Sequence, residues 1–391
     1  MKKVLSFMLA LILTLAGSSA VFAANTAEAG SSASMTFTGN EIKLSLNQAI
    51  ERMTSTGPAF ESVKLAKDGN EAAAKGQFEA LSAIKDARNL YDSLTTEQKQ
   101  QFGSVPSLNS LTGKQATLAK DFYKSYTPVA YEAGMNGIKN QTIRVYYGLL
   151  MSSENYRIAQ ETAQIKKTLF ENTQKKLKLG VASKMDVLQA ENAYLSAKQQ
   201  ASAAKTALTT VKMQTNMAFN YDTMQKLTLT DSLTQIPMPE IDLGSAIRSA
   251  LANRADLLQA KYDMESAELA FNSVKAYPRD SATYLGGQAT YNGRKLAYET
   301  KRTSIEIEIR SAYMELQDLK AAVSVAQSTY ENAKEGARLT QLQYDAGMCT
   351  LTDLQSAQNA SAAAQLGVYS AITNYDLAVY SFQYNTKAGI L

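Results

Sequence analysis

The 391-residue sequence contains no histidine, no tryptophan and one cysteine, Cys349. Each absence removes a class of function. Without imidazole there is no Ser-His-Asp or Cys-His nucleophile, no histidine general base and no histidine-containing zinc site. A lone thiol makes neither an intramolecular disulfide nor a four-cysteine metal cluster. Charge of one sign is lacking too: 40 Lys+Arg against 36 Asp+Glu leave +4, which is no nucleic-acid footprint. Carboxylates such as Glu306 and Glu308 lie two apart, on different flanks of a helix, and do not make a shared site. No enzyme activity, cofactor or metal is expected.

Long apolar runs are scarce. Val4 to Ala16 is the main one, preceded by Lys2-Lys3 and followed by Val21-Phe22-Ala23. This is the pattern of a secretory signal peptide, assigned to residues 1–23. The run is shorter than the ~20 residues a spanning helix needs. No later stretch is continuously apolar over the ~18 residues that mark a membrane helix. The chain is therefore expected to be exported without crossing a bilayer by helices, with a flexible N-terminal segment over 24–40.

Proline is also sparse, at positions 58, 106, 128, 237, 239 and 278. Because proline breaks helices, the proline-free tracts 129–236 and 279–391, rich in Ala, Gln, Lys, Glu and Leu, are expected to hold long helices. In the second tract Ala312, Leu316, Leu319, Val323, Ala326, Tyr330, Ala333 and Ala337 recur in alternating steps of four and three. That is a coiled-coil seam.

The chain repeats itself. Gly180-Val181-Ala182-Ser183-Lys184-Met185-Asp186 recurs as Gly347-Met348-Cys349-Thr350-Leu351-Thr352-Asp353, an offset of 167 that also lays Tyr146 on Tyr313 and Leu149 on Leu316. Leu44 to Ile50 matches Ile241 to Ile247 at an offset of 197, so the first copy carries roughly 30 additional residues between its matched blocks. The expected organisation is a first repeat over 41–220 with an insert near 90–139, a linker over 221–240, and a second repeat over 241–391. Gly180 and Gly347 supply a left-handed helix end, and Ser183 or Thr350 opens an S/T-x-x-D cap three residues later. Each copy is thus a helix, a turn and a helix.

The duplicated turn, the Arg248-x4-Asn253-Arg254-Ala255-Asp256-Leu257 opening of the second unit, and Tyr344-x-x-Gly347-x5-Asp353-Leu354 together resemble the TolC-like outer-membrane efflux proteins. The resemblance covers nearly all of the chain beyond the leader. It implies an all-α-dominated fold: two tandem repeats of very long antiparallel coiled-coil helices that form part of a trimeric α-barrel. It implies a homotrimer acting as a passive exit duct for small molecules or proteins, with a periplasmic adaptor (membrane fusion protein), an inner-membrane pump and an outer-membrane location. By the same resemblance Tyr344, Asp353 and Asp186 are candidate constriction residues, and the turns Gly180-Val181 and Gly347-Met348 are candidate adaptor-docking surfaces.

Several features depart from the family. Its two β-hairpins need strands of roughly 9–11 residues. The corresponding gap here runs only from Pro278 to about Tyr291, with a return to helix near Asn292 to Lys295, and residues 90–139 read as polar helix and loop. The barrel is either truncated or replaced, and an exported coiled-coil scaffold of the envelope is the alternative function. Asp186 and Asp353 also fit a purely capping role, and Tyr344 an ordinary seam position. Cys349 stands where the family commonly has Arg, and Ser356 where it has a second acid. A closed tip is therefore expected to be held more by packing than by ion pairs.

Overall fold

The computed structural model describes residues 37–391, so the expected signal peptide and most of the expected flexible N-terminal segment lie outside the described residues. Strand β1 (Thr38–Leu44) is followed by α1 (Leu46–Met53), α2 (Pro58–Ser93), α3 (Thr96–Phe102), α4 (Leu111–Lys178) and α5 (Lys184–Ala218). Strand β2 (Gln225–Leu229) precedes α6 (Leu243–Asn253), α7 (Ala255–Val274), α8 (Ala282–Asp345) and α9 (Leu351–Asn385). The order from α1 to α5 is matched by α6 to α9, apart from α3. The repeat seen in the sequence is thus a repeat of helices.

The 68 residues of α4 and 64 of α8 make rods of about 100 Å at 1.5 Å per residue. Toward one end α4 packs on α5 and α9, and α8 on α9. Toward the other, α4 packs on α2 and α7, and α8 on α7. The predicted seam is the packed face of α8: Leu316 and Val323 are fully buried, while Leu319, Ala326, Tyr330, Ala333 and Ala337 are half-buried among exposed neighbours. The additional residues of the first copy lie mainly in α2, with 36 residues against 20 in α7, and in the connection 94–110.

Two sequence expectations are corrected. Pro128 does not end a helix; it sits inside α4. The ring removes one hydrogen bond to the carbonyl of residue 124, a cost of about 3 kcal/mol in an unsupported helix. Here neighbouring contacts hold the turn. Phe122 stacks on Tyr262 of α7 with ring centroids 4.2 Å apart, and Thr127 Oγ1 donates to the Tyr123 carbonyl at 2.6 Å. The return to helix after Pro278 comes at Ala282, ten residues before the expected Asn292. Ser281 caps it by accepting the Tyr284 N–H, and Phe271 of α7 holds Tyr284 edge-on and stacks on Tyr291.

Among the described residues the only strands are β1 and β2, which pair in parallel with Leu44 opposite Leu229. Neither lies where the family's hairpins would be. The connection 94–110 holds α3, with a Thr95/Gln98 capping box, and 275–281 is a turn. The region near 90–139 is the end of α2, α3 and the start of α4.

The short strands, α1, α6 and the linker wrap the middle of the rods. Consecutive tyrosines of α4 fasten them. Tyr146 Oη donates to the Leu44 carbonyl at 3.0 Å and to Asp231 Oδ2 at 2.8 Å. Tyr147 Oη donates to Asp376 Oδ2 at 3.0 Å, and Asp376 Oδ1 accepts the linker N–H of Ile236 at 3.1 Å. One hydrophobic cluster serves each repeat: Ile143, Tyr146, Leu150, Phe219 and Leu227 in the first, and Ile309, Leu316, Tyr375, Val379 and Phe382 in the second.

Candidate functional site

The two turns are built alike. Gly180 and Gly347 have φ of +73° and +74°, in the left-handed region where a Cβ meets the backbone. Val181 N–H donates to Lys176 O at 2.9 Å and Gly180 N–H to Leu177 O at 3.0 Å. Met348 and Gly347 repeat this on Gln343 and Tyr344 at 2.8 and 3.1 Å. Both are Schellman closures of the incoming helix. Space around each glycine is open, so only the backbone excludes other residues. Replacing Gly347 by Val is expected to cost roughly 1–2 kcal/mol, confined to the turn. Hydrogen exchange would show faster opening of residues 343–350 with the rest unchanged.

The outgoing helices start with reciprocal caps. Asp186 Oδ2 accepts the Ser183 N–H at 2.8 Å and its O–H at 2.7 Å, and the Asp186 N–H returns to Ser183 Oγ at 3.1 Å. Asp353 Oδ2 accepts the Thr350 N–H at 3.0 Å and its O–H at 2.6 Å. Backbone and hydroxyl donors from Ser183 hold the Asp186 carboxyl below its ordinary range; for Asp353 the Thr350 hydroxyl comes first, then its N–H. Both groups are therefore anionic at neutral pH. In each, one oxygen makes the cap and Oδ1 stays uncommitted, so capping leaves the charge available.

Val181 and Met348 are 71% and 73% exposed, an unusual placement for two apolar side chains in matching turns. Tyr344 is half-buried and continues the α8 seam. It packs with Phe170 against Leu169, Ala190, Leu351 and Leu354, the cluster that joins the two hairpins. A contact missed by the sequence reading crosses the same junction. Lys176 Nζ of α4 lies 4.3 Å from the centre of the Tyr344 ring and 3.5 Å from Asp345 Oδ1 of α8. The ion pair is solvent-exposed and worth at most about 1 kcal/mol, whereas Leu354 is fully buried. Packing thus outweighs charge at this junction, although a charged contact is present. Cys349 is half-buried with Sγ 3.5 Å from the Thr340 carbonyl.

No group of three His, Cys, Asp or Glu residues among the described residues is disposed to hold a metal ion. Glu306 and Glu308 diverge, the first to Arg310 and the second to Arg254. No described helix is long and apolar enough to cross a membrane.

Residues 278–380 match the family model for outer membrane efflux proteins. No curated protein matches the chain. Among solved structures, the outer membrane protein VceC from Vibrio cholerae is similar over 88% of this chain and 97% of its own, with TM-score 0.66 and 15% identity. The CmeC outer membrane channel of Campylobacter jejuni gives TM-score 0.67 at 14% identity, covering 88% of this chain and 86% of its own. The open state of the MtrE outer membrane channel of Neisseria gonorrhoeae gives 0.62 at 15%, covering 88% and 89%. At these identities the likeness is one of fold. The comparisons thus agree on one reading: most of the second repeat, residues 278–380, matches the outer membrane efflux protein model, and the fold is similar to that of the solved outer membrane channels.

Proposed function

We propose that the protein is the exit duct of an envelope export system, a homotrimer that conducts small molecules or proteins passively and docks a periplasmic adaptor of an inner-membrane pump through its two turns. The observation that carries this reading is a second apolar stripe on the outer helices of the paired hairpins. On α8, Met314, Val325, Leu339 and Leu342 are exposed on the side away from the buried seam; on α5, Met185, Leu188 and Leu195 are exposed on the side away from buried Ala190 and Ala197. Helices with two apolar flanks close sideways into a tube when neighbouring copies supply the missing partner. Val181 and Met348 then project from the end of that tube as adaptor contacts, and three copies of Asp353, with Asp186 nearby, form its anionic constriction with Tyr344 and Lys176 at the hairpin junction.

The test is the mature protein extracted from the cell envelope: a trimeric mass with single-channel conductance supports the duct. A soluble monomer without conductance supports instead an exported coiled-coil scaffold, the reading favoured by the absence of strands in 94–110 and 275–281 among the described residues. In the conducting protein, Asp353→Ala is expected to lower cation over anion permeability and to speed exchange in the first turn of α9. If reversal potentials in a salt gradient stay unchanged while exchange quickens, Asp353 is a cap alone.

A further inference from the structure

We propose that the junction of α4, α8 and α9 around Lys166 is a binding site for a small monovalent anion, a halide or a short carboxylate. Lys166 is 3% exposed. Its Nζ donates to the Gln355 carbonyl at 3.3 Å and to Gln358 Oε1 at 3.0 Å, two neutral acceptors for a group with three N–H donors. No carboxylate among the described residues pairs with it. Burial alone acts on the amine and pulls it down to about 8, so at neutral pH most of it still carries its charge. An ammonium taken out of water without a counter-charge is costly. Helix packing does not demand this lysine, because the equivalent position of the second repeat is Ala333.

Beside the amine is a cavity of about 120 Å³, lined also by Thr162, Ser361, Gln365, Glu161 and Ala337. Among the described residues the two hydroxyls and the Gln365 amide have no hydrogen-bond partner, so they are available as donors to a bound ion. A buried donor without a partner, Gln355 Nε2, lies on the same stretch of α9. Glu161 does not supply the missing charge: its carboxylate is held by Arg157 at 2.6 Å, and Arg157 also holds Glu154 at 2.7 Å. On α8, Arg338 beside Ala337 is paired with Glu335, and α9 lines the cavity with neutral side chains. The nearby Glu161 charge disfavours multiply charged anions, and the volume suits chloride or acetate but not a bulky polyol carboxylate. The site lies within one chain and does not depend on trimer assembly.

Thermal unfolding of the mature protein at fixed ionic strength tests this. At neutral pH, sodium chloride or acetate in place of sodium gluconate is expected to raise the midpoint by about 2 °C. The larger rise with acetate assigns a carboxylate, and the larger rise with chloride a halide. Lys166→Met, which removes an unpaired buried charge and so retains the fold, is expected to abolish the increment. So is raising the pH to about 9.5, where an amine titrating at about 8 is mostly neutral. Bromide-soaked crystals should show an anomalous peak within hydrogen-bond distance of Nζ. Equal increments in the wild type and Lys166→Met, or none in the wild type, would overturn the proposal.

Discussion

Arg254→Ala is expected to destabilise the protein by about 2 kcal/mol, between the worth of an exposed ion pair and the cost of removing one partner from a buried one. The guanidinium is 11% exposed and grips Asp256 through Nε and Nη2, both at 3.0 Å, and Glu308 of α8 through Nη1 at 2.8 Å. Burial alone would raise the Asp256 carboxyl, but the Arg254 hydrogen bonds and charge, with Lys301 behind them, keep it below its ordinary value. The network fixes the α6–α7 corner, where the Ala255 N–H also reaches the Ala388 carbonyl at 3.2 Å, against the long rod α8. Arg254→Lys keeps the charge but cannot span both carboxylates, so it should rescue only part of the loss. Chemical denaturation of the two variants, with Glu308→Gln as the partner of a double-mutant cycle, measures this. A coupling near zero between 254 and 308 would show that the corner is held by packing alone.

Asp376 makes stability depend on pH. It is fully buried, with Tyr147, Tyr375 and Tyr380 around it, and no cation pairs with it among the described residues. Burial raises its carboxyl above the ordinary 3.8, opposed only by the Ile236 N–H and the Tyr147 hydroxyl. The folded state therefore holds the proton more tightly than the unfolded chain. The stability contributed by the protonated group is fully present below pH 3.8 and is lost as the pH rises through the higher folded value. Asp376→Asn keeps an acceptor for Ile236 and carries no charge to bury. It should be more stable than the wild type at neutral pH, with the gap closing toward strongly acidic pH. Asp376→Ala leaves both donors unpaired and is expected to cost about 2–4 kcal/mol, most at acidic pH, where the protonated wild-type carboxyl contributes fully. Parallel denaturation curves of the wild type and Asp376→Asn, offset equally at acidic and neutral pH, would show that the carboxyl titrates normally.

Much of the architecture was legible because its signals are local. The glycines at φ near +74° and the two capping boxes are each read within one or two helical turns, the Ala312–Ala337 seam from a spacing that recurs every heptad, and the 167-residue offset from lining up two such local patterns. Tyr344 followed from the seam, and the capping of Asp186 and Asp353 from the S/T-x-x-D pattern. A lysine where the other repeat has Ala333 was a visible signal for Lys166, although its acceptors lie about 190 residues away.

From the sequence alone came the helical rods, their duplication, the turns that bend them and the charge of the turns, since propensity, period and capping act between near neighbours. Tertiary structure alone decided that Pro128 stays inside α4, that Asp376 binds the linker at Ile236 and that Lys176 meets Tyr344. Each of these depends on which surface a distant segment presents. A proline's missing hydrogen bond, a buried carboxylate or an unpaired amine is tolerated only when such a surface covers it, and nothing within a turn of the residue records that.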